Sequence, residues 1–333
     1  MIDGYNITNT HAPEQTSVTV TKSWKDSDDQ DGIRPNSITV ELVANGTATG
    51  ETLVLTDNNN WNGTFTELDK YAEGVEIVYT VRELTVAGYD TVITGTQTEG
   101  YVITNSHTPE TVAVSGTKTW NDNNNQDGVR PESITVELLK NGKVHDTATV
   151  TAEDGWSWSF TGLARYENHG TPISYSVREL AVEGYVTEIN GYNITNTHAP
   201  EQTSVTVTKA WADSDDQDGI RPNSVTVELV ANGEATGKTL VLSQGNNWTG
   251  SFTGLDKFSA GVEIVYTVTE AAVAEYTSVI TGNQTTGYTI TNSHNPATTE
   301  ISGSKTWNDN AGLLRTHGWW HSLLGSVAHI CLQ

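Results

Sequence analysis

The stretch SVTVTKSW at residues 17–24 decides the fold. Side chains of a β-strand point alternately to opposite faces, so Val18, Val20 and Trp24 share one face, while serine and threonine fill the other. Lys22 falls on the apolar face. A surface strand would place this charge among the threonines, so either the stretch is not a strand or the lysine is buried.

Composition narrows the class of protein. The 333 residues carry 17 basic and 41 acidic side chains, a formal net charge of −24, and the mean hydropathy is −0.42. This charge argues against a nucleic-acid partner, and abundant Thr, Val, Gly and Asn predict an all-β protein. No apolar run is long enough to span a bilayer, and no spacing typical of a metal or cofactor site is present. The single cysteine, Cys331, excludes an internal disulfide.

The chain is repetitive. The phrase GYNITNTHAPEQTSVTVTK occurs at residues 4–22 and again at 191–209. A Lys-x-Trp unit and an Ile-Thr-Asn unit both recur at spacings of 96, 91 and 96 residues. Their marker residues are Lys22, Lys118, Lys209 and Lys305, and Asn9, Asn105, Asn196 and Asn292. We therefore predict three whole repeats, at 12–108, 109–199 and 200–295.

The flanking segments differ from the three repeats. We interpret residues 1–11 as the last strand of a truncated preceding repeat and 296–310 as the start of an incomplete one. Residues 311–333 contain no acidic residue and do not continue the pattern. We interpret them as a non-homologous tail of frameshifted or vector origin, the alternative being a short hydrophobic anchor.

Each repeat reads as short alternating runs separated by turns. The runs of the first repeat are SVTVTKSW, SITVELV, TLVL, WNGTFTEL, EIVYTVREL and YVITNSH, with an Asn-Gly turn typical of a hairpin after the second. About seven short strands in some ninety residues favour a Greek-key β-sandwich. Linkers such as THAPEQT and SHTPET are short, so we expect tandem sandwiches joined end to end in a semi-rigid rod.

Lys22 is not the only polar residue on the apolar face of a predicted strand. In EIVYTVREL the apolar face continues through Tyr79 and Val81 to Glu83, and in YVITNSH it continues from Ile103 to Asn105. The sequence therefore predicts that the first, penultimate and last strands of each repeat aim a lysine, a glutamate and an asparagine inward. The three sets are Lys22, Glu83 and Asn105; Lys118, Glu179 and Asn196; and Lys209, Glu270 and Asn292.

Two interpretations of these sets stay open at this point. Lone buried charges are very costly, so the three residues should meet, and the simpler outcome is a buried ion pair with the asparagine satisfying leftover hydrogen bonds. The other interpretation is a chemical reaction between the lysine and the asparagine. In a pocket lined by Trp24 and Tyr79, burial favours a neutral amine beside a neutral acid. The amine could then attack the amide carbonyl, expel ammonia and leave a Lys–Asn isopeptide bond.

Several motifs resemble the B-type repeats of the collagen adhesin Cna, which occur in Gram-positive surface proteins and pilins. They are the Lys-x-Trp start, the DGxRP segment, the closing Ile-x-Asn strand and YTVRELTVAGY at 79–89, which is similar to the E-box of that family. The resemblance covers roughly residues 12 to 310. It departs in the third repeat, where Glu275 replaces the glycine found at Gly88 and Gly184.

The resemblance implies an immunoglobulin-like or prealbumin-like sandwich and a self-formed Lys–Asn isopeptide bond in each repeat, promoted by Glu83, Glu179 or Glu270 as the catalytic acid. It implies an extracellular stalk or spacer of a cell-wall adhesin, not an enzyme acting on an external substrate, with no cofactor and no metal. Host matrix proteins and the cell wall are the expected partners, through a head domain and an anchor beyond this sequence. The alternative is that the repeats themselves bind a matrix or cell-surface ligand.

Two further features of the sequence, an acidic segment and a recurring histidine, have simple structural explanations. In DSDDQDGIRP, aligning Gly32 with the glycine of an EF-hand loop places Ser27, Asp29 and Asp31 at ligand positions, but Ile38 stands where the bidentate glutamate belongs. An acidic turn accounts for the segment better, and calcium binding stays open. Histidines follow the asparagines by two residues at His107, His198 and His294, and we expect exposed linker residues there.

Overall fold

The structure is a computed structural model that describes Gly4 and residues 9–304. The flanking predictions for 1–11 and 296–310 lie partly outside these residues, and Lys305 and the tail at 311–333 lie wholly outside them. The strands form three sets of nine, within residues 15–106, 111–197 and 202–293. The described residues form two compact units: one holds repeats 1 and 2 with residues 253–265, and the other holds residues 205–252 and 266–304.

The strands of repeat 1 are β1 (Gln15–Lys25), β2 (Ser37–Ala44), β3 (Thr47–Thr56), β4 (Asn62–Asp69), β5 (Tyr71–Ala72), β6 (Val75–Glu76), β7 (Tyr79–Glu83), β8 (Asp90–Thr96) and β9 (Gly100–Ser106). Those of repeat 2 are β10 (Thr111–Asn121), β11 (Ser133–Lys140), β12 (Lys143–Thr151), β13 (Ser157–Ala164), β14 (Tyr166–Glu167), β15 (Thr171–Pro172), β16 (Tyr175–Glu179), β17 (Val186–Asn190) and β18 (Asn193–Thr197). Those of repeat 3 are β19 (Gln202–Ala212), β20 (Ser224–Ala231), β21 (Glu234–Ser243), β22 (Thr249–Asp256), β23 (Phe258–Ser259), β24 (Val262–Glu263), β25 (Tyr266–Glu270), β26 (Thr277–Asn283) and β27 (Gly287–Ser293). Single 3₁₀ turns lie at Asp57–Asn59 and Gln244–Asn246.

Every repeat has the same sheet topology. A four-stranded sheet in the order β4-β1-β9-β8 faces a three-stranded sheet in the order β3-β2-β7, with β5 and β6 as a separate short hairpin. The first and last strands, β1 and β9, run parallel, and the other pairs are antiparallel. The predicted all-β class of tandem β-sandwich domains is confirmed. Within the described residues no helix is long and apolar enough to cross a membrane.

Alternating burial builds the core as the sequence predicts. Val18 and Val20 of β1 are fully buried, as is Ile103 of β9, because these strands present one apolar and one polar face. The predicted Asn-Gly turn joins β2 to β3, with φ of 47° at Asn45 and 81° at Gly46. Two consecutive positive φ angles define the turn whose twist matches a hairpin, which explains the residue pair.

One detail of the strand prediction is wrong. The sequence predicts the glutamate on the penultimate strand, but β8 lies between β7, which carries Glu83, and the last strand β9. β8 escaped sequence analysis because all of its residues are exposed at the edge of the sheet. Glu83 therefore belongs to the smaller sheet, whereas Lys22 and Asn105 belong to the larger one.

Candidate functional site

The lysine and glutamate of repeat 1 meet inside the sandwich. Lys22 Nζ lies 3.2 Å from Glu83 Oε1, and the two side chains are 0% and 1% exposed. Lys22 extends from β1 and Glu83 from β7, so the contact joins the two sheets across the core. The interpretation of SVTVTKSW as a strand with a buried lysine is therefore correct.

The asparagine lies beside the lysine on the neighbouring strand. In the parallel pairing of β1 and β9, Lys22 is opposite Ile103 and Trp24 is opposite Asn105. Directly opposed residues project to the same face, so Lys22 and Asn105 both face the core, offset by about 7 Å along the strands. A lysine side chain can reach over that distance.

The other two repeats reproduce the arrangement with different lysine–glutamate distances. Lys118 Nζ donates to Glu179 Oε1 at 2.6 Å in repeat 2, and the corresponding pair in repeat 3, Lys209 and Glu270, is 3.6 Å apart. In repeat 3 the amine also donates to the backbone carbonyl oxygens of Ala210 and Ile290, at 3.0 and 3.2 Å. The ion pair is thus present in each repeat, but its hydrogen bonding varies.

The asparagine is the constant feature of the three sites. Asn105, Asn196 and Asn292 are each 0% exposed. Among the described residues, neither the amide nitrogen nor the amide oxygen of any of the three has a hydrogen-bond partner. A buried polar atom without a partner costs roughly 1–3 kcal/mol, so six such atoms at equivalent positions need an explanation. The simple interpretation, in which the asparagine satisfies the ion pair, does not describe this geometry.

An aromatic cluster covers each lysine. Lys22 Nζ lies 4.3 Å from the centroid of the Trp24 ring, and Trp61 and Tyr89 pack against that ring at centroid distances of 5.2 and 5.0 Å. Tyr79, expected to line the pocket, is buried in the core and its hydroxyl donates to the carbonyl of Asp69. The lysines of repeats 2 and 3 lie over Trp120 and Trp211 at 4.4 and 4.1 Å.

Burial shifts the lysines toward the neutral amine. Loss of hydration lowers the pKa of Lys22 to about 8, against the opposing charge of Glu83. The same cause lowers the pKa of Lys209 to about 8 and lowers the pKa of Lys118. With a pKa of about 8, roughly a tenth of the Lys22 and Lys209 amine is neutral and nucleophilic at pH 7.

A hydroxyl group that sequence analysis missed completes the site. Thr91 Oγ1 donates to Glu83 Oε2 at 2.8 Å, which leaves Oε1 facing the lysine. Thr91 lies directly opposite Asn105 in the pairing of β8 and β9. The equivalent donors are Thr187 to Glu179 at 2.9 Å and Ser278 to Glu270 at 3.0 Å. A hydroxyl eight residues after each glutamate is the sequence signal that could have revealed it.

The DGxRP segment closes one end of the site. We call residues 26–34, 122–130 and 213–221 the DG loops. Arg34 donates to both carboxylate oxygens of Asp26, at 2.7 and 3.0 Å, and Tyr89 donates to Oδ2 at 2.9 Å. Although burial opposes ionisation, these hydrogen bonds hold the pKa of Asp26 at about 2. The Arg34 guanidinium in turn lies over Trp24, 5.4 Å from the ring centroid.

Backbone conformation accounts for the acidic composition of the DG loop. Ser27, Asp28 and Asp29 have φ of 54°, 59° and 56°, and repeat 2 has three asparagines at the equivalent positions. Asp and Asn tolerate this left-handed region better than other residues with a side chain. Among the described residues, no group of three or more His, Cys, Asp or Glu side chains is arranged to hold a metal ion.

The expectation of exposed linker histidines is wrong. The side chain of His107 is 16% exposed, and its Nε2 lies 2.9 Å from Asp31 Oδ2 in the DG loop. His198 and His294 make the same contact with Asp127 and Asp218, at 2.8 and 3.0 Å. The partners are more than 70 residues apart in sequence, so linker composition alone could not reveal them.

Fold and site together define tandem β-sandwich repeats, each with a buried lysine, glutamate and asparagine. A family model of the Cna protein B-type domain matches residues 18–106, 114–197 and 205–293, and the chain belongs to this family. The chain is 46% identical over 310 residues to a collagen adhesin of Staphylococcus aureus, an alignment that covers 92% of this chain and 26% of that protein. It thus spans about a quarter of the length of that relative.

Solved structures of the same family resemble the chain. A crystal structure of two B repeat units of the collagen-binding protein of Staphylococcus aureus is 45% identical, with a TM-score of 0.52, and covers 89% of this chain and 79% of that one. A single B repeat unit of that protein is also 45% identical, with a TM-score of 0.28, covering 56% of this chain and all of that one. The matched family is a repeat of an adhesin, not a family of enzymes.

Proposed function

We propose that the chain is a structural spacer of a cell-surface adhesin in which each repeat is locked by a self-formed isopeptide bond. The linked pairs are Lys22 with Asn105, Lys118 with Asn196, and Lys209 with Asn292. The observation that carries the proposal is the fully buried asparagine amide without a hydrogen-bond partner, found beside a lysine and a glutamate in all three repeats. Bond formation would remove the amide nitrogen that is otherwise stranded in the core.

The reaction uses only groups within the site. The neutral amine of the lysine attacks Cγ of the asparagine while the protonated glutamate carboxyl polarises the amide oxygen, and the carboxyl group then relays a proton from the amine to Nδ2. The Nζ–Cγ bond forms, the Cγ–Nδ2 bond breaks, and the proton passed through the glutamate leaves with Nδ2 as ammonia. Trp24 and the rings packed on it keep water from the pocket, so hydrolysis does not compete.

The position of the bond suits a spacer under tension. It would join β1 to β9, the first and last strands, which run parallel at the centre of the larger sheet. Force applied to the two ends of a repeat would pass through the covalent bond and not through the sandwich. Closing a loop of about 80 residues would also stabilise the fold by roughly 4–5 kcal/mol in a chain-entropy treatment.

The relatives support an extracellular setting. The adhesin of Staphylococcus aureus is named for collagen, and its B repeats belong to what is described as a collagen-binding surface protein. By analogy, we place this chain at the cell surface, attached to the cell wall, with matrix binding assigned to other parts of the protein. We also propose the repeat boundaries 12–108, 109–199 and 200–295.

Intact mass spectrometry of the whole chain tests the bonds. We expect a mass below that of the sequence by three ammonias, and no deficit in a variant carrying Glu83→Ala, Glu179→Ala and Glu270→Ala. Glu51→Ala, at an exposed position of β3, is the control and should keep the full deficit. The full sequence mass in the unsubstituted chain would refute the bonds.

Binding separates the spacer role from its alternative. Saturable binding of the chain to immobilised matrix protein would show that the repeats are themselves a binding module. A spacer should give no saturable signal in that assay, whether or not its bonds have formed.

A further inference from the structure

The DG loop of repeat 1 contacts the next repeat through backbone groups. Gly170, at the tip of the β14–β15 hairpin, donates its N–H to the carbonyl of Gln30 at 3.0 Å. A Cβ added at Gly32 would lie 2.6 Å from the backbone carbon and oxygen of His169. His169 Nδ1 also lies 3.4 Å from Asp29 Oδ2. Loop and hairpin are therefore packed backbone to backbone, at a distance that a glycine at position 32 permits.

The same loop also holds the linker between the repeats. Asp31 Oδ2 accepts a hydrogen bond from the backbone N–H of Glu110 at 2.7 Å and lies 2.9 Å from His107 Nε2. The other ring nitrogen, Nδ1, lies 2.9 Å from the carbonyl of Gly88. A carboxylate and a carbonyl both accept, so both nitrogens donate when His107 is protonated. The hydrogen bond with Asp31 accordingly raises the pKa of His107.

The contact recurs within the same compact unit. Gly261, at the tip of the β23–β24 hairpin, donates to the carbonyl of Gln126 at 3.0 Å. A Cβ added at Gly128 would lie 2.4 Å from the Cα of Gly261. Asp127 accepts from the N–H of Glu201 at 2.7 Å, as Asp31 does from Glu110. Two loops with different side chains thus hold two hairpins by the same backbone contacts.

In repeat 3, no hairpin of the described residues lies against the loop. Asp218 still accepts from the N–H of Ala297 at 2.9 Å and contacts His294, and φ at Gly219 is 66°, close to the 69° of Gly32. Among the described residues, no atom lies within 4 Å of a Cβ built on Gly219. The loop therefore keeps its conformation and its contacts with the linker in a repeat where no described hairpin lies against it.

We propose that the DG loop is a preformed docking surface for the hairpin tip of the following repeat. Its partner is a second repeat of the same kind, recognised by a tip glycine that offers a free N–H and no side chain. A preformed surface loses little conformational freedom on docking, so a small contact can fix the junction. The proposal does not depend on the isopeptide bonds. It assigns a role to the acidic segment that covalent locking leaves unexplained.

Two glycine substitutions with the same backbone strain test the docking surface. Gly32→Ala adds a methyl group that meets the hairpin, whereas Gly219→Ala adds one at nearly the same φ where no atom of the described residues lies within 4 Å. The full chain, with Cys331→Ser, carries nitroxide labels at Glu51→Cys and Asp146→Cys, both exposed. We expect double electron–electron resonance to show a broadened distribution of distances between the two nitroxide labels in Gly32→Ala and an unchanged distribution in Gly219→Ala.

Amide exchange reports on the contact itself. In ¹⁵N-glycine-labelled chain, we expect exchange of the Gly170 amide to accelerate at least tenfold in Gly32→Ala and to stay unchanged in Gly219→Ala. Equal exchange in the two variants, or an unchanged label distribution in Gly32→Ala, would overturn the proposal. If Gly32→Ala does not fold, the hairpin side gives the same comparison. Gly170→Ala should broaden the label distances, and Gly74→Ala, with φ of 81° and no atom of the described residues within 4 Å, should not.

Discussion

The cores of repeats 1 and 2 fill equivalent space with large side chains from different strands. In repeat 1, Val20 of β1 lies opposite Gly63 of β4, whereas in repeat 2 Gly116 of β10 lies opposite Trp158 of β13. Trp158 is 6% exposed, and a Cβ at Gly116 would lie 2.7 Å from its ring. A large and a small residue have exchanged strands, and each repeat has one of each.

The residue sizes in the facing sheet differ between the two repeats in a complementary way. A Cβ at Gly63 would lie 3.1 Å from Leu53 and 2.9 Å from Leu55, so these two leucines fill the space beside the glycine. In repeat 2 the equivalent strand positions hold the smaller residues Ala148 and Val150. The volume given up by two leucines is taken by one tryptophan.

The hairpin of the last two strands differs as well, without disturbing the site. β8 and β9 have seven residues each, whereas β17 and β18 have five each. Thr91 is nevertheless opposite Asn105, and Thr187 is opposite Asn196. The hairpin has been shortened at its tip, which keeps the pairing at its base. Core volume and hairpin length vary between the repeats, while the lysine, glutamate, asparagine and hydroxyl keep their places.

Removing the tryptophan should give the largest effect. Trp158→Ala leaves a cavity in repeat 2 and should destabilise that repeat by about 3–5 kcal/mol, with repeats 1 and 3 unaffected. Hydrogen exchange of the whole chain in rising denaturant, followed by mass spectrometry of its peptides, measures the stability of each repeat separately.

The leucines of repeat 1 supply the matched rescue. Adding Ala148→Leu and Val150→Leu to Trp158→Ala should recover more than half of the lost stability, because these residues fill the equivalent space beside Gly63. The same two leucines added while Trp158 is present should instead destabilise repeat 2 by overpacking. Failure of the rescue would mean that the two cores are not alternative fillings of one space.

The next largest effect should be the pH dependence of the rate of bond formation, which should differ between the repeats. Chain recovered unreacted in urea is refolded by dilution at pH 6 to 9, and the cross-linked peptides of each repeat are quantified with time. Because the pKa of Lys22 and of Lys209 is about 8, the neutral fraction rises about 50-fold from pH 6 to pH 8, and the rates in repeats 1 and 3 should rise with it and then level off.

Repeat 2 should respond at higher pH. Its 2.6 Å hydrogen bond between Lys118 and Glu179 favours the charged amine more than the longer contacts of repeats 1 and 3 do. We therefore expect its half-maximal rate at a higher pH than in those repeats. Rates independent of pH in all three repeats would show that ionisation of the lysine does not limit the reaction.

Sequence alone predicted the site residues that occupy inward-facing positions of strands with alternating burial. Lys22, Glu83 and Asn105 interrupt apolar faces, and parity along a strand needs no knowledge of tertiary contacts. Thr91 was missed because its strand has no buried face: Val92 is 57% exposed and Ile93 37%. The contact of His107 with Asp31 was missed because it joins residues 76 apart, through a loop whose shape depends on three consecutive left-handed residues.

The smallest predicted effect comes from the hydroxyl beside the glutamate. Thr91→Val keeps the shape of the side chain but removes the hydrogen bond to Glu83 Oε2, so the carboxyl group can rotate away from the lysine. The loss of one hydrogen bond, about 1.4 kcal/mol, should slow bond formation in repeat 1 about tenfold in the refolding assay.

Thr91→Ser is the matched control, because repeat 3 already has a serine, Ser278, at the equivalent position, 3.0 Å from Glu270. It should react at the rate of the unsubstituted repeat. Thr187→Val should slow repeat 2 less than Thr91→Val slows repeat 1, since the hydrogen bond from Lys118 also orients Glu179. Equal slowing in the two repeats would show that the lysine contact does not orient the glutamate. The difference between the two ion pairs would then have no bearing on the reaction, and the hydroxyl alone would set the position of the acid.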